Sequence, residues 1–173
     1  VEELMRIGLM SDSHDRVPAV AELLRLMIAG GVGMVLHAGD YCAPFVLKPF
    51  EETKLSLAGV YGNNDGDKQG LLTRAQSAFG TELFDSPHSF EIGGQRLLLV
   101  HDIGDVQQRS IESHAIVIHG GTHKQEMKSR GDTLIVNPGE ACGWLYGTPS
   151  AAILDLDTKQ VEFLVLEPSE WRR

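Results

Sequence analysis

Five short apolar runs, each leading into a side chain able to bind a metal ion, constrain this chain more than any other feature. They are Ile7-Gly8-Leu9-Met10 into Asp12 and His14, Met34-Val35-Leu36 into Asp40, and Ala58-Gly59-Val60 into Asn63. Leu97-Leu98-Leu99-Val100 then leads into His101, and Ala115-Ile116-Val117-Ile118 into a turn closing on His123. Such short runs, rich in Val, Ile and Leu and bounded by Gly or turn formers, read as buried strands and not as helices. Packed side by side with their ends level, they would gather all these side chains along one carboxyl rim, where open α/β sheets place their sites.

The intervening segments predict an α/β fold. Val20, Leu23, Leu24 and Met27 give Val17 to Ile28 a near-helical period, stopped by Gly30-Gly31. A shorter helix is expected from Pro44 to Glu51, a strand from Lys54 to Tyr61, and a third, weaker helix from Lys68 to Phe79. Strand and helix in alternation imply parallel strands joined by crossovers. After that, Ser89 to Ile92, Gly93-Gly94 and Gln95 to Val100 read as a hairpin, because Gly-Gly suits a two-residue turn. Further short strands are expected at Gln125 to Lys128, Thr133 to Val136, Ala151 to Asp155 and Val161 to Leu166. The expected result is two sheets packed face to face with helices on their outer sides.

A chain of 173 residues buries a real core and most simply forms a single domain over 1–173. Met5 reads as a natural start, which makes Val1 to Leu4 an expected extension. No stretch approaches the ~18 apolar residues of a membrane span, and no basic segment precedes an apolar signal core, so a cytoplasmic protein without membrane attachment is expected. Cys42 and Cys142 provide neither a disulfide framework nor a structural zinc motif, and read as packed thiols. A formal charge of -9 argues against stable binding of long nucleic acid, which needs clustered Lys and Arg. Small anions remain compatible, since a pair of divalent cations reverses the field of an acidic protein locally. A homo-oligomer is compatible with the sequence as well.

Taken singly, the rim motifs are weak. Asp12 and His14, one residue apart just past a strand, can face the same ion, but an Asp capping the next helix looks the same. Asp40 after Gly39 can bridge two ions or simply make a turn. In Gly62-Asn63-Asn64-Asp65-Gly66, Asn63 comes first after the strand and is assigned as a ligand, with Asn64 as a substrate or turn contact. His101 ends a strand, and His123 closes Gly120-Gly121-Thr122-His123, whose adjacent glycines permit a close turn that Thr122 is expected to tie. Together they are strong, because five strand ends would have to produce Asp, His, Asp, Asn, His and His by accident. Hard oxygens mixed with imidazoles suit manganese, iron, zinc or nickel better than calcium. His37 reads as a hydrogen-bonding support near Asp40, and His88 and His114 as exposed residues. Arg16 and Lys124 are the cations best placed in sequence to touch a phosphate, each otherwise a solvated surface residue.

In this order and spacing, Asp12-Ser13-His14, Gly39-Asp40, Gly62-Asn63-Asn64-Asp65, His101 and Gly120-Gly121-Thr122-His123 resemble the calcineurin-like metallophosphoesterase superfamily. Asn137-Pro138-Gly139-Glu140 resembles the turn after the late strand in its small bacterial and archaeal phosphodiesterase branch. The likeness runs from about Met5 to Leu166. It implies a four-layer αββα sandwich of two mixed sheets flanked by helices, with a dinuclear site. By the same resemblance, Asp12, His14, Asp40 and His123 hold one divalent ion, and Asp40 bridges to a second shared with Asn63 and His101. Manganese is the foremost expectation for both ions, with nickel, zinc or iron(II) as alternatives. The implied activity is hydrolysis of small phosphodiesters by in-line attack of a metal-activated hydroxide, with Asp40 and Asn64 in catalytic roles. The family's late motif is usually Gly-His-Thr-His, and Gly121 occupies its first His position. The second ion is therefore expected to bind more loosely, while Asp102 or His119 is left open as a replacement ligand. A protein-binding scaffold of the same fold, as in the retromer complex, is the alternative.

Overall fold

The computed structural model describes residues 5–171, so the expected extension at residues 1–4 lies outside the described residues. Strands β1 (Arg6–Met10), β2 (Met34–His37), β3 (Ser56–Val60) and β4 (Leu83–Phe84) run parallel. Helices α1 (Val17–Ala29), α2 (Lys48–Thr53) and α3 (Lys68–Phe79) fall between them, α2 preceded by a 3-10 turn at Pro44–Leu47. The hairpin β5 (His88–Ile92) and β6 (Gln95–Val100) begins a second sheet, to which β7 (Ile116–His119), β8 (Gln125–Arg130) and β9 (Thr133–Pro138) belong. The chain then returns to the first sheet as β10 (Ser150–Asp155) and β11 (Val161–Val165). The orders are β11-β10-β1-β2-β3-β4 and β5-β6-β7-β9-β8. Each sheet has a parallel centre, and antiparallel pairing closes the first at β10 and β11 and the second at both ends.

The apolar runs are continuous because their strands are covered on both faces. Ile7, Leu9, Leu36, Ala38, Ala58 and Val60 point inward and meet Leu97, Leu99, Ile116, Ile118, Leu134 and Val136 of the other sheet. The residues between them point outward. Met10, Val35 and Leu57 pack under Val20, Leu23, Leu24 and Met27 of α1. Leu98, Val100, Val117 and Ile135 pack under Ile111 of a fourth helix, α4 (Gln108–Glu112). This is the expected four-layer sandwich, with a thin outer layer on the second sheet. At about 1.5–3 kcal/mol per buried aliphatic side chain, the inter-sheet core is what holds the two rims in register.

Three short elements carry too few residues to show a period: β4, α4 and α5 (Pro168–Trp171). The expectation that His88 and His114 are exposed is corrected. His114 is buried, with Nε2 2.7 Å from Ser89 Oγ and Nδ1 2.6 Å from the Ser110 carbonyl. His88 is half-buried, its ring stacked 3.7 Å from Phe84. Both become structural because the start of β5 and the end of α4 close over that edge of the sandwich. No helix among the described residues is long and apolar enough to cross a membrane.

Candidate metal centre

The parallel pairing of β1 with β2 and β3, and of β6 with β7, brings the carboxyl ends of these strands to one rim. The first sheet contributes its side chains from strained turns. Asp12, His14 and Asp40 have φ of 52°, 36° and 61°, and from the second sheet His123 has 63°. Residues with a Cβ seldom occupy this left-handed region, and such strain gathers at functional sites. Asp65 holds the strained turns together by accepting from three backbone N–H groups: Gly62 at 2.6 Å, Cys42 at 2.8 Å and Asp40 at 3.1 Å. Gly62 allows a close approach, since a Cβ there would collide with Asp40 Oδ1.

Five acceptor atoms converge. His14 Nε2 lies 3.8 Å from Asp12 Oδ1 and 3.3 Å from Asp40 Oδ2. His123 Nε2 lies 3.3 Å from Asp12 Oδ1, and His101 Nε2 lies 3.5 Å from Asp40 Oδ2. They divide into two groups able to hold an ion, Asp12 with His14 and His123, and Asp12 with Asp40 and His101. Asp40 Oδ2 lies between His14 and His101, within reach of both.

The far nitrogens of two imidazoles are fixed by acceptors. His101 Nδ1 donates to the Ala38 carbonyl at 2.8 Å, and His123 Nδ1 donates to Glu140 Oε2 at 2.7 Å. Each ring therefore turns an Nε2 lone pair toward the carboxylates, as metal-binding histidines do. Asp12 Oδ1 and His14 Nε2 are buried without a hydrogen-bond partner. Carboxylate oxygens and imidazole nitrogens meeting in a buried place are a donor set that fits a divalent metal ion once His14 has given up its proton.

The titration directions agree. Burial works to raise the Asp12 carboxyl, but the His14 imidazole, the Ser11 hydroxyl and His123 hold it below its usual range. Asp40 is likewise lowered against its burial, by His14 and by the backbone and side chain of Asn64. His14 is raised to about 9 by Asp12 and Asp40. His37, fully buried, falls to about 3 and stays neutral, its Nε2 2.9 Å from Ser13 Oγ. That is the supporting role expected of it.

Asn64 donates to Asp40 through both its backbone N–H and its side-chain amide, each at 2.8 Å. Asn63 is exposed on the same turn, and no hydrogen bond among the described residues involves its side chain. Gly121 adopts φ of 75°, and a Cβ there would sit 3.5 Å from His101 Nε2. Neither suggested replacement joins the cluster: Asp102 accepts from Gly104 N–H in its own turn, and His119 Nε2 faces Glu126 at 3.3 Å. Thr122 ties its turn by accepting from Asn137 Nδ2 at 3.0 Å. Lys124 is exposed, whereas the half-buried Arg16 guanidinium stacks on Trp144, 3.7 Å from its ring centre. Cys42 Sγ lies 3.3 Å from His14 Nδ1, its thiol pushed up to about 11 by burial. Sequence reasoning missed the roles of Asp65 and Glu140. Both stood inside motifs already noted, but their partners are distant or are backbone N–H groups.

Comparison with known proteins follows the same lines. The Calcineurin-like phosphoesterase superfamily domain matches residues 5–159. The chain is 34% identical over 166 residues to the phosphodiesterase MJ0936 of Methanocaldococcus jannaschii, covering 94% of this chain and 100% of that one. The solved structure of an archaeal phosphodiesterase superposes with a TM-score of 0.88 at 34% identity, covering 94% of this chain and all of that one. A Vacuolar Protein Sorting 29 from Cryptosporidium parvum shares the fold at 18% identity, with a TM-score of 0.67 over 95% of this chain and 98% of that one.

Proposed function

The chain belongs to the calcineurin-like phosphoesterase superfamily, and on that premise we propose that it hydrolyses small phosphodiesters at a two-metal centre. Asp12, His14, Asp40, Asn63, His101 and His123 would hold the ions, manganese foremost. The observation that carries the reading is the meeting of Asp12 Oδ1, His14 Nε2, Asp40 Oδ2, His101 Nε2 and His123 Nε2 in a largely buried cluster. When bound, divalent ions supply Lewis acidity to phosphoryl oxygens and lower the pKa of water toward ~7.

The protein's own groups do the rest. Asp40 Oδ2 lies 3.3 Å from His14 Nε2 and 3.5 Å from His101 Nε2, one imidazole of each donor group, and is held there by Asn64. Glu140 and the Ala38 carbonyl keep His123 and His101 turned to the rim. The Asn64 amide, partly exposed to substrate, offers a hydrogen bond but no transferable proton, so the departing oxygen takes its proton from solvent. Both cysteines are free thiols, as in a reducing compartment, which supports a cytoplasmic protein.

A scaffold reading rests on fold likeness alone and gives the converging ligands no use. Metal-stripped protein reloaded with manganese, nickel, zinc or iron(II) and offered bis(p-nitrophenyl) phosphate tests the proposal. Metal-dependent release of nitrophenolate is expected, and no release with any of the four ions would reject it.

A further inference from the structure

Beside the metal centre, one turn places three large apolar side chains in water in succession. Trp144, Leu145 and Tyr146 are 59%, 67% and 54% exposed. Large apolar side chains left exposed together in one turn are a candidate binding surface.

The turn is rigidly anchored to the site. Glu140 Oε2, which holds His123, also accepts from the Leu145 N–H at 3.0 Å, and Oε1 accepts from the Tyr146 N–H at 2.6 Å. Trp144 Nε1 donates to the His14 carbonyl at 3.3 Å, and its ring rests on Arg16, whose guanidinium is also 4.0 Å from the centre of Trp171. A crest fixed to both His14 and His123 keeps its position relative to anything held on the metal rim, so little ordering is needed when a ligand binds.

A cavity of about 440 Å³ opens next to it, lined by His123, Lys124, Gln125, Tyr146, Ser150 and Val165 among others. That volume falls within the usual range of small-ligand sites, about 300–1,000 Å³. His123 belongs to both the metal centre and this cavity, so a phosphoryl group at the centre would direct one of its ester substituents here. The wall offers an aromatic face from Tyr146, with Lys124 Nζ 5.4 Å from the centre of that ring, and an exposed Val165. Gln125 supplies both an amide donor and an acceptor for a polar edge. A flat ring, apolar on its faces and polar at its rim, finds a stacking face in Tyr146 and polar partners in Lys124, Gln125 and Ser150.

We propose that this cavity is a substrate subsite for a planar heteroaromatic ester group of the nucleoside type, with Tyr146 as the stacking platform. The subsite rests on the phosphodiesterase reading and adds a substrate class to it. Calorimetric titration of the manganese-loaded protein with adenosine 5′-monophosphate and with inorganic phosphate tests it, since the two ligands share a phosphate and differ in the nucleoside. The nucleotide is expected to bind about tenfold more tightly, a modest stacking gain. Tyr146→Ala should erase that advantage without changing phosphate binding, and Tyr146→Phe should keep it. Equal binding of the two ligands by the unmodified protein, or an equal loss of both in Tyr146→Ala, would overturn the subsite. A retained nucleotide advantage with no metal-dependent diester cleavage would instead leave the subsite standing and remove the diesterase reading.

Discussion

The two ends of the metal centre are built differently. Around His123, two imidazoles face Asp12, and a buried carboxylate, Glu140, backs one of them. Around His101, one imidazole faces two carboxylates and is backed by the neutral Ala38 carbonyl, and Gly121 presents hydrogen where a second imidazole would reach. An imidazole-rich end favours zinc or nickel, and a carboxylate-rich end suits harder manganese. A charged backing group also raises the basicity of its histidine more than a neutral one does. On the two-metal proposal, ions held at these ends would differ in affinity and in preferred identity, and the His101 end would fill last.

The largest effect is expected where the two ends meet. Asp40→Asn keeps the shape of the side chain but removes the charge shared by His14 and His101. Turnover of bis(p-nitrophenyl) phosphate should drop at least about 10³-fold. Retained turnover would mean that the ends work independently and that the comparison has no catalytic meaning.

Glu140→Gln probes the backing of one end alone. Metal affinity at the His123 end should drop about 10- to 100-fold, as for other outer-shell partners, with the His101 end unchanged. Cobalt(II) absorption during titration separates the two steps. An equal loss at both ends would identify Glu140 as a general structural support and not as a partner of His123.

Proton competition sharpens the same contrast. His14 is raised from 6.5 to about 9 in the metal-free protein, so a proton must leave before an ion binds at the His123 end. Affinity there should climb about tenfold per pH unit until about pH 9, measured by calorimetry in buffers of different ionisation heat. Without metal the sign reverses: a raised histidine contributes stability that is complete below pH 6.5 and is lost as pH rises through about 9.

Much of this was legible from residues alone. The apolar runs could be read as strands because both faces are covered, leaving no polar alternation to confuse them. The Lys68–Phe79 helix coincides with its observed limits. The four buried or half-buried residues Asp12, His14, Asp40 and His123 stand at strand ends, where adjacency in the sheet converts sequence order into proximity. Turn geometry was less accessible. In Asn63-Asn64 nothing local tells which amide faces Asp40, and the structure brings Asn64 there. Glu140 looked like the end of a turn motif because His123 is 17 residues away and the Leu145 and Tyr146 N–H groups are backbone donors. His114 looked exposed because Ser89 and Ser110, which enclose it, belong to separate elements.

The smallest effect should come from restoring the absent imidazole. In Gly121→His the new Cβ would lie 3.5 Å from His101 Nε2, close enough to add a ligand to the poorer end, but also 3.2 Å from the His101 carbonyl. Its φ of 75° lies in the left-handed region, which costs a residue with a Cβ about 1–2 kcal/mol. Added ligation and added strain oppose each other, so the gain in affinity at the His101 end should stay below about tenfold. Gly121→Ala carries the strain without the ligand, and its loss of thermal stability gives the size of the opposing effect. A gain far beyond tenfold in Gly121→His would make the single missing imidazole the whole reason the two ends differ. No gain after correction by Gly121→Ala would place the reason in the backing groups, Glu140 against the Ala38 carbonyl.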